Sequence, residues 1–139
     1  MEQKVLTISL MDAPYESENS TTAFRIIDAA LRKGHSVNVF AYEGAVMLAK
    51  ESQKPHPNWV RGTSVADEDH VLTKDWVSEL LRVASQSGSS LNWINCGLCE
   101  DERGTDESVQ GVKRGGPADF VVQINQSDTT LIIPTKRNC

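Results

Sequence analysis

Apolar residues recur along the chain in two rhythms, one short and β-like, the other spaced as on a helix face. Lys4–Leu10 (KVLTISL) is rich in β-formers, with apolar side chains at 5, 6, 8 and 10, and reads as a buried first strand. Residues 11–19 carry Pro14 and a polar cluster and read as loop, ending beside the N-cap candidates Ser20, Thr21 and Thr22. Ala23, Phe24, Ile27, Ala30 and Leu31 then follow at helical spacing through Lys33, and Gly34 supplies a left-handed stop. Ser36–Ala41 (SVNVFA) alternates apolar and polar as a second strand. Strand, helix, glycine and strand in this order predict a βαβ unit, hence a parallel pair with a right-handed crossover.

The second half repeats the rhythm after an interruption. Gly44–Glu51 fits a short helix, and residues 52–72, with two prolines and mixed charge, read as a long loop. A loop of that length in a compact domain usually serves as a lid, an interface or a mobile segment. Thr73 is placed as the cap of a helix with Trp76, Val77, Leu80, Leu81 and Ala84 on one stripe, stopping at Gly88. Leu91–Asn95 (LNWIN) is a third strand running straight into Cys96-Gly97-Leu98-Cys99 and the acidic run Glu100-Asp101-Glu102. Residues 104–116 read mostly as loop. Pro117 suits the first position of a helix in which Phe120, Val121 and Ile124 face one way, and Thr129–Ile133 (TTLII) is the last strand before a tail over 134–139. The pattern predicts an α/β fold: a doubly wound, mostly parallel sheet with helices on both faces.

Bulk properties narrow the function classes. The 139 residues suit one domain, and 39% apolar content is enough for a core without staples. A net charge of −5 argues against a nucleic-acid partner, because the phosphate term would be repulsive. No segment approaches the roughly 18 apolar residues of a membrane span. The N-terminal Met1-Glu2-Gln3-Lys4 does not introduce a signal peptide, so a cytoplasmic location is expected. Three cysteines in such a chain read as free thiols, redox groups or metal ligands.

Cys96 is the first candidate for chemistry. In open α/β sheets ligands bind outside the carboxyl ends of strands, where Cys96 lies. A helical turn beginning there offers backbone N–H groups that stabilise a thiolate, although a buried cysteine with a purely packing role is also common. Cys99 completes a C-x-x-C, a spacing that lets a second thiol resolve a mixed disulfide on the first. The same pair is half of a zinc site, but Cys139 and the scattered His35, His56 and His70 offer no second pair at ligand spacing, and no metal or cofactor is expected. The acidic run acts both ways, suiting a helix start yet raising a nearby thiol pKa. Cys139, next to Lys136 and Arg137, is a mobile-thiol candidate or an incidental cysteine. Gly111–Gly116 matches neither dinucleotide nor P-loop patterns and reads as a flexible loop. His35 is structural at its turn; His56 and His70 lie in the long loop and read as solvated residues, with assistance to a thiol as the alternative. Trp76 and Trp93 are core candidates; Trp59 is an interface candidate.

The chain resembles the DsrE/DsrF-like sulfur-relay family. The likeness rests on KVLTISL, on the segment MDAPYESENSTTAFRIIDAALRKGHSVNVFAYEGAV, and on GGPADFVVQINQSDTTLIIP as closing helix and strand. Shared features are the Pro/Tyr loop, the Gly-His helix end and the strand running into an aromatic-x-Gly turn. The resemblance implies one flavodoxin-like domain over 1–139, homo- or hetero-oligomers, sulfur-donor and sulfur-acceptor protein partners, and a cysteine after the third strand that accepts and passes persulfide sulfur. Cys96 occupies that position, with Cys99 an addition to the pattern and a candidate resolving thiol. Two other readings stay open: a dithiol–disulfide redox protein using Cys96 and Cys99, and a non-catalytic assembly subunit.

Overall fold

In the computed structural model, residues 2–135 are described. Five strands form one parallel sheet in the order β4-β3-β2-β1-β5: β1 Val5–Leu10, β2 Ser36–Ala41, β3 Leu91–Cys96, β4 Val112–Gly115 and β5 Thr129–Ile133. Ile8 lies opposite Val39 on one side and Leu131 on the other, and Cys96 opposite Gly115. All pairings are parallel.

Strand alternation sorts the sheet into two unequal faces. Leu6, Ile8, Leu10, Val37, Val39 and Trp93 point to the side covered by helices α1 (Asn19–Arg32) and α2 (Thr73–Gln86). Phe24, Ile27, Leu31, Val77 and Leu80 meet them there, and Phe24 stands between the rings of Trp76 and Trp93 at centroid distances of 5.0 and 6.2 Å. A 3₁₀ helix over Glu43–Ala49 adds Ala45, Leu48 and Ala49 to this core. The connection from β4 to β5 runs back across the sheet, so α4 (Pro117–Gln126) covers the opposite face. That face is more polar. Thr7 donates to the Gln123 carbonyl at 3.1 Å, and Gln123 Nε2 reaches the carbonyls of Val39 and Asn92, each at 3.3 Å.

The expected α/β sheet with helices on both faces is therefore present, with several local differences. β4 falls within the 104–116 segment expected to be mostly loop; it is a four-residue edge strand held by pairing to β3. The Ser20–Thr22 group does not cap α1, which begins at Asn19 after Glu18; Ser20 is buried inside the helix, and the Asn19 N–H donates to Ser17 Oγ. Thr73 is the first residue of α2 rather than its cap. Gln53 takes that role from the loop, its Oε1 accepting from the Lys74 N–H at 2.9 Å and from Thr73 Oγ1 at 3.1 Å. In α4 the buried residue is Gln123, while Val121 lies exposed. The helix stops at Gly34 and Gly88 have φ of 86° and 68°, as a left-handed stop requires. Residues 52–72 hold turns and one isolated bridge, Asn58 to Thr63, with Trp59 fully out in solvent. Cys139, Lys136 and Arg137 lie outside the described residues.

Candidate functional site at the carboxyl end of the third strand

Cys96 is the last residue of β3 and the N-cap of the short helix α3 (Gly97–Glu102). Its extended ψ of 115° turns the chain from strand to helix, and Cys99 follows one turn on. Both are free thiols and both are buried, Cys96 6% and Cys99 8% exposed. They share one packed cluster with Phe40, Val46 and Ile94, bordered by Tyr42, Met47 and Phe120. The C-x-x-C thus brings its two sulfurs into one apolar environment.

The two thiols are held differently. Cys99 Sγ accepts the backbone N–H of Glu43 at 3.2 Å, whereas the Cys96 side chain makes no capping hydrogen bond. Glu43 adopts the left-handed region at φ 52°, unusual for a residue with a side chain. Next to it Gly44 presses on Ala13: a Cβ at position 44 would stand 2.9 Å from both Ala13 N and Ala13 Cβ. Arg103 donates to Glu43 Oε2 and to the Cys99 carbonyl, each at 3.3 Å, clamping the same corner. Burial pushes the Cys99 thiol pKa up, as do Cys96 and the Glu43 carboxylate; the Glu43 N–H pulls the other way. The acidic influence on this thiol comes from Glu43, rather than from the 100–102 run.

A cleft of about 750 Å³ opens at this corner, lined by Asp12, Glu16, Tyr42, Glu43 and Arg103 among others. It sits outside the ends of β1 and β2, where the topology leads one to look for a ligand. Glu43 stands between the Cys99 sulfur and this space. Neither thiol lines the cleft itself.

Beneath α3 lies a charged network that the sequence did not suggest. Lys50 is almost wholly buried, and its ammonium donates to Glu100 Oε1 at 2.7 Å, the Asp106 carbonyl at 2.9 Å and Ser108 Oγ at 3.0 Å. Three donors meet three acceptors, as a buried ammonium requires. Asn95 Nδ2 also donates to Glu100 Oε1, at 3.0 Å, and Trp93 Nε1 donates to Asn95 Oδ1 at 3.1 Å. Burial raises the Glu100 pKa, but Lys50, Asn95 and Arg114 outweigh it and hold the carboxyl below its ordinary range. Arg114 spans Glu100 and Asp101 and lies against Gly97, where a Cβ would meet its guanidinium carbon at 2.7 Å. The only hint in the sequence was a lysine closing the apolar run GAVMLAK.

The remaining candidates lie elsewhere. His35 Nδ1 accepts the Lys4 N–H at 3.0 Å, a structural role at its turn. His56 and His70 line a second recess of about 430 Å³ with Tyr15, Gln53 and Leu72, and His70 meets the Tyr15 ring edge-on. Among the described residues, no histidine hydrogen-bonds a thiol and no group of His, Cys, Asp or Glu is placed to hold a metal ion. Nor is any described helix long and apolar enough to cross a membrane.

With this geometry established, comparison with known proteins gives a consistent set of likenesses. A model of the DsrE/DsrF-like family matches residues 4–132. An uncharacterized protein of Methanopyrus kandleri is 29% identical over 131 residues, covering 91% of this chain and 92% of the relative. Another, of Methanocaldococcus jannaschii, is 29% identical over 129 residues, covering 90% and 96%. Among solved structures, the ychN protein from E. coli superposes with a TM-score of 0.67 at 21% identity, covering 95% of this chain and 100% of that one. A conserved protein of unknown function from Bacteroides thetaiotaomicron gives a TM-score of 0.57 at 13% identity, over 94% and 95%. These two structures bear on the fold alone.

Proposed function

Because the chain belongs to the DsrE/DsrF-like family, we propose that it is a sulfur carrier or sulfurtransferase component working as a single domain, with Cys96 as the sulfur-bearing residue. The Cys96 thiolate attacks the outer sulfur of a donor persulfide, and the donor leaves as a thiolate. An acceptor thiolate then takes that sulfur from Cys96, whose own thiolate is the leaving group. The partners are a sulfur-donor and a sulfur-acceptor protein, and the chemistry needs a reducing compartment such as the cytoplasm. The observation that supports the reading is a free thiol at the carboxyl end of β3, one turn from a second thiol whose sulfur accepts the N–H of Glu43, a residue lining an open cleft.

The test is peptide-resolved mass spectrometry after incubating cyanide-cleared Cys99→Ser protein, with and without Cys96→Ser, with inorganic polysulfide. The expected result is one added sulfur on Cys96, lost in Cys96→Ser. Equal sulfur uptake by the two proteins at other residues, or none by either, refutes it.

A second reading is supported by the shared cluster of Cys96 and Cys99: a dithiol–disulfide redox protein, which would reduce disulfides without ever carrying an added sulfur. Assembly is a further part of the proposal. Val121 and Val122 of α4 and Ile132 of β5 are about half exposed, the kind of apolar surface that a homo- or hetero-oligomer covers. Sedimentation above the monomer mass, lowered by Ile132→Lys, is expected; a monomeric wild type refutes it.

A further inference from the structure

The two thiols differ in a way that assigns them different tasks. Cys99 is pinned: its sulfur accepts the Glu43 N–H at 3.2 Å, and Arg103 holds both the Glu43 carboxylate and the Cys99 carbonyl. Cys96 has no such donor and sits at the turn from strand to helix, one helical turn before Cys99 and in the same packed cluster. Residues three apart on such a turn have Cβ atoms about 5–6 Å apart, and a small shift of the turn brings them to the roughly 3.5–4.5 Å that a disulfide spans.

We infer that Cys99 discharges the sulfur held on Cys96 as hydrosulfide, closing a Cys96–Cys99 disulfide within the chain. This step rests on the persulfide reading above. The Cys99 thiolate attacks the inner sulfur of the Cys96 persulfide, so an Sγ–Sγ bond forms and the bond to the outer sulfur breaks. The outer sulfur leaves with the electron pair and takes up the proton that Cys99 gave up. The carried sulfur is reduced to sulfide, the two cysteine sulfurs end as a disulfide, and no outside oxidant is needed. A dithiol reductant then restores both thiols. Burial holds the Cys99 thiol mostly protonated, and the Glu43 N–H offsets part of that by stabilising the attacking thiolate. The chain thereby has two outlets for one sulfur: transfer to an acceptor thiol, or release as sulfide when no acceptor is engaged.

The experiment uses full-length protein carrying Cys139→Ser, so that only this pair reacts. It is loaded with inorganic polysulfide, cleared of excess and left without reductant while sulfide and peptide masses are followed. The protein retaining both thiols is expected to release one sulfide per chain and to gain a disulfide between 96 and 99. Cys99→Ser and, as a second variant, Cys99→Ala are expected to keep the extra sulfur on Cys96 and to release at least about tenfold less sulfide. Equal sulfide release from the variants, or a loaded dithiol protein that never closes, overturns the inference and leaves the carrier reading standing. Failure of Cys99→Ser and Cys99→Ala to take sulfur onto Cys96 at all overturns both.

Discussion

Replacing Lys50 with methionine tests whether the buried charge network is what holds α3, and with it the two thiols, in place. Methionine keeps most of the lysine stem, so packing is nearly preserved while the ammonium is lost. Glu100, whose side chain is 11% exposed, then loses its closest partner at 2.7 Å but keeps Asn95 at 3.0 Å and Arg114 at 3.3 Å. Breaking a buried pair on one side costs roughly 3–5 kcal/mol. The two surviving partners put this case at the low end, about 3 kcal/mol, or on the order of a 10 °C fall in Tm for a chain of this size. Lys50→Met/Glu100→Met removes both charges and is expected to recover most of that, ending within about 1–2 kcal/mol of wild type. Urea titrations of the four proteins of the cycle measure both quantities. The pH dependence has a defined sign. Glu100 is held below its ordinary pKa in the folded state. Its contribution is therefore present above the unfolded carboxylate range, near pH ~4.3, and fades as pH falls through the lowered folded value. The gap between wild type and Lys50→Met should narrow below about pH 4. A single variant within about 1 kcal/mol of wild type, or a double variant worse than the single, refutes the reasoning.

Two glycines should rank in a stated order, and one thiol should respond to pH in a stated direction. At position 44 an added Cβ meets backbone, Ala13 N at 2.9 Å, so Gly44→Ala should cost about 1–3 kcal/mol by urea titration. At position 97 it meets only the end of Arg114, whose half-exposed guanidinium can swing away, so Gly97→Ala should cost about 1 kcal/mol or less; the reverse order would be a refutation. Iodoacetamide labelling of Cys99, followed by peptide mass, should keep rising with pH beyond the ordinary thiol range of about 8.5, because burial and Cys96 push its pKa up; a plateau below pH 8 contradicts this.

The strands and long helices were legible because their apolar positions repeat with the right period. Ile8 and Leu10, Val37 and Val39, and Phe24, Ile27 and Leu31 all occupy the core that periodicity gave them. β4 was not legible, since Val112-Lys113-Arg114-Gly115 has a single apolar side chain and is a strand only because β3 offers it partners. The caps failed for a similar reason. A hydroxyl cluster near a helix start is a local signal, while the group that caps α2 is Gln53, twenty residues away and brought near by the loop. The position of Cys96 followed from the strand LNWIN that precedes it. Its surroundings did not. Lys50 and Glu100 are fifty residues apart, and each taken alone looks like a surface charge. The left-handed backbone of Glu43 goes with tertiary contacts, its own with Arg103 and Cys99 and those of the adjoining Gly44 with Ala13, although the aromatic-x-Gly turn that contains it was visible in the sequence.

The unequal faces of the sheet bear directly on how Cys96 is reached. Trp93 and Asn95 point toward α1, α2 and the Lys50 network, so alternation sends Ile94 and Cys96 to the α4 side. That side has a thin lid. Phe120 stacks on Phe40 at 5.0 Å, Tyr42 stacks on Phe40 at 5.7 Å, and the rest of the contact is built largely on Thr7, Asn38, Asn92 and Gln123. Polar contacts of this kind contribute less per unit area than the apolar packing under α1 and α2. Elements held this way open at lower free energy than the core does. If Cys96 carries sulfur as proposed, a donor reaching it from this side has to displace Phe120 and the start of α4. If the sulfur is discharged by Cys99 as inferred above, it leaves on the side of Cys96 away from the attacking thiol, so loading and discharge share the α4 side.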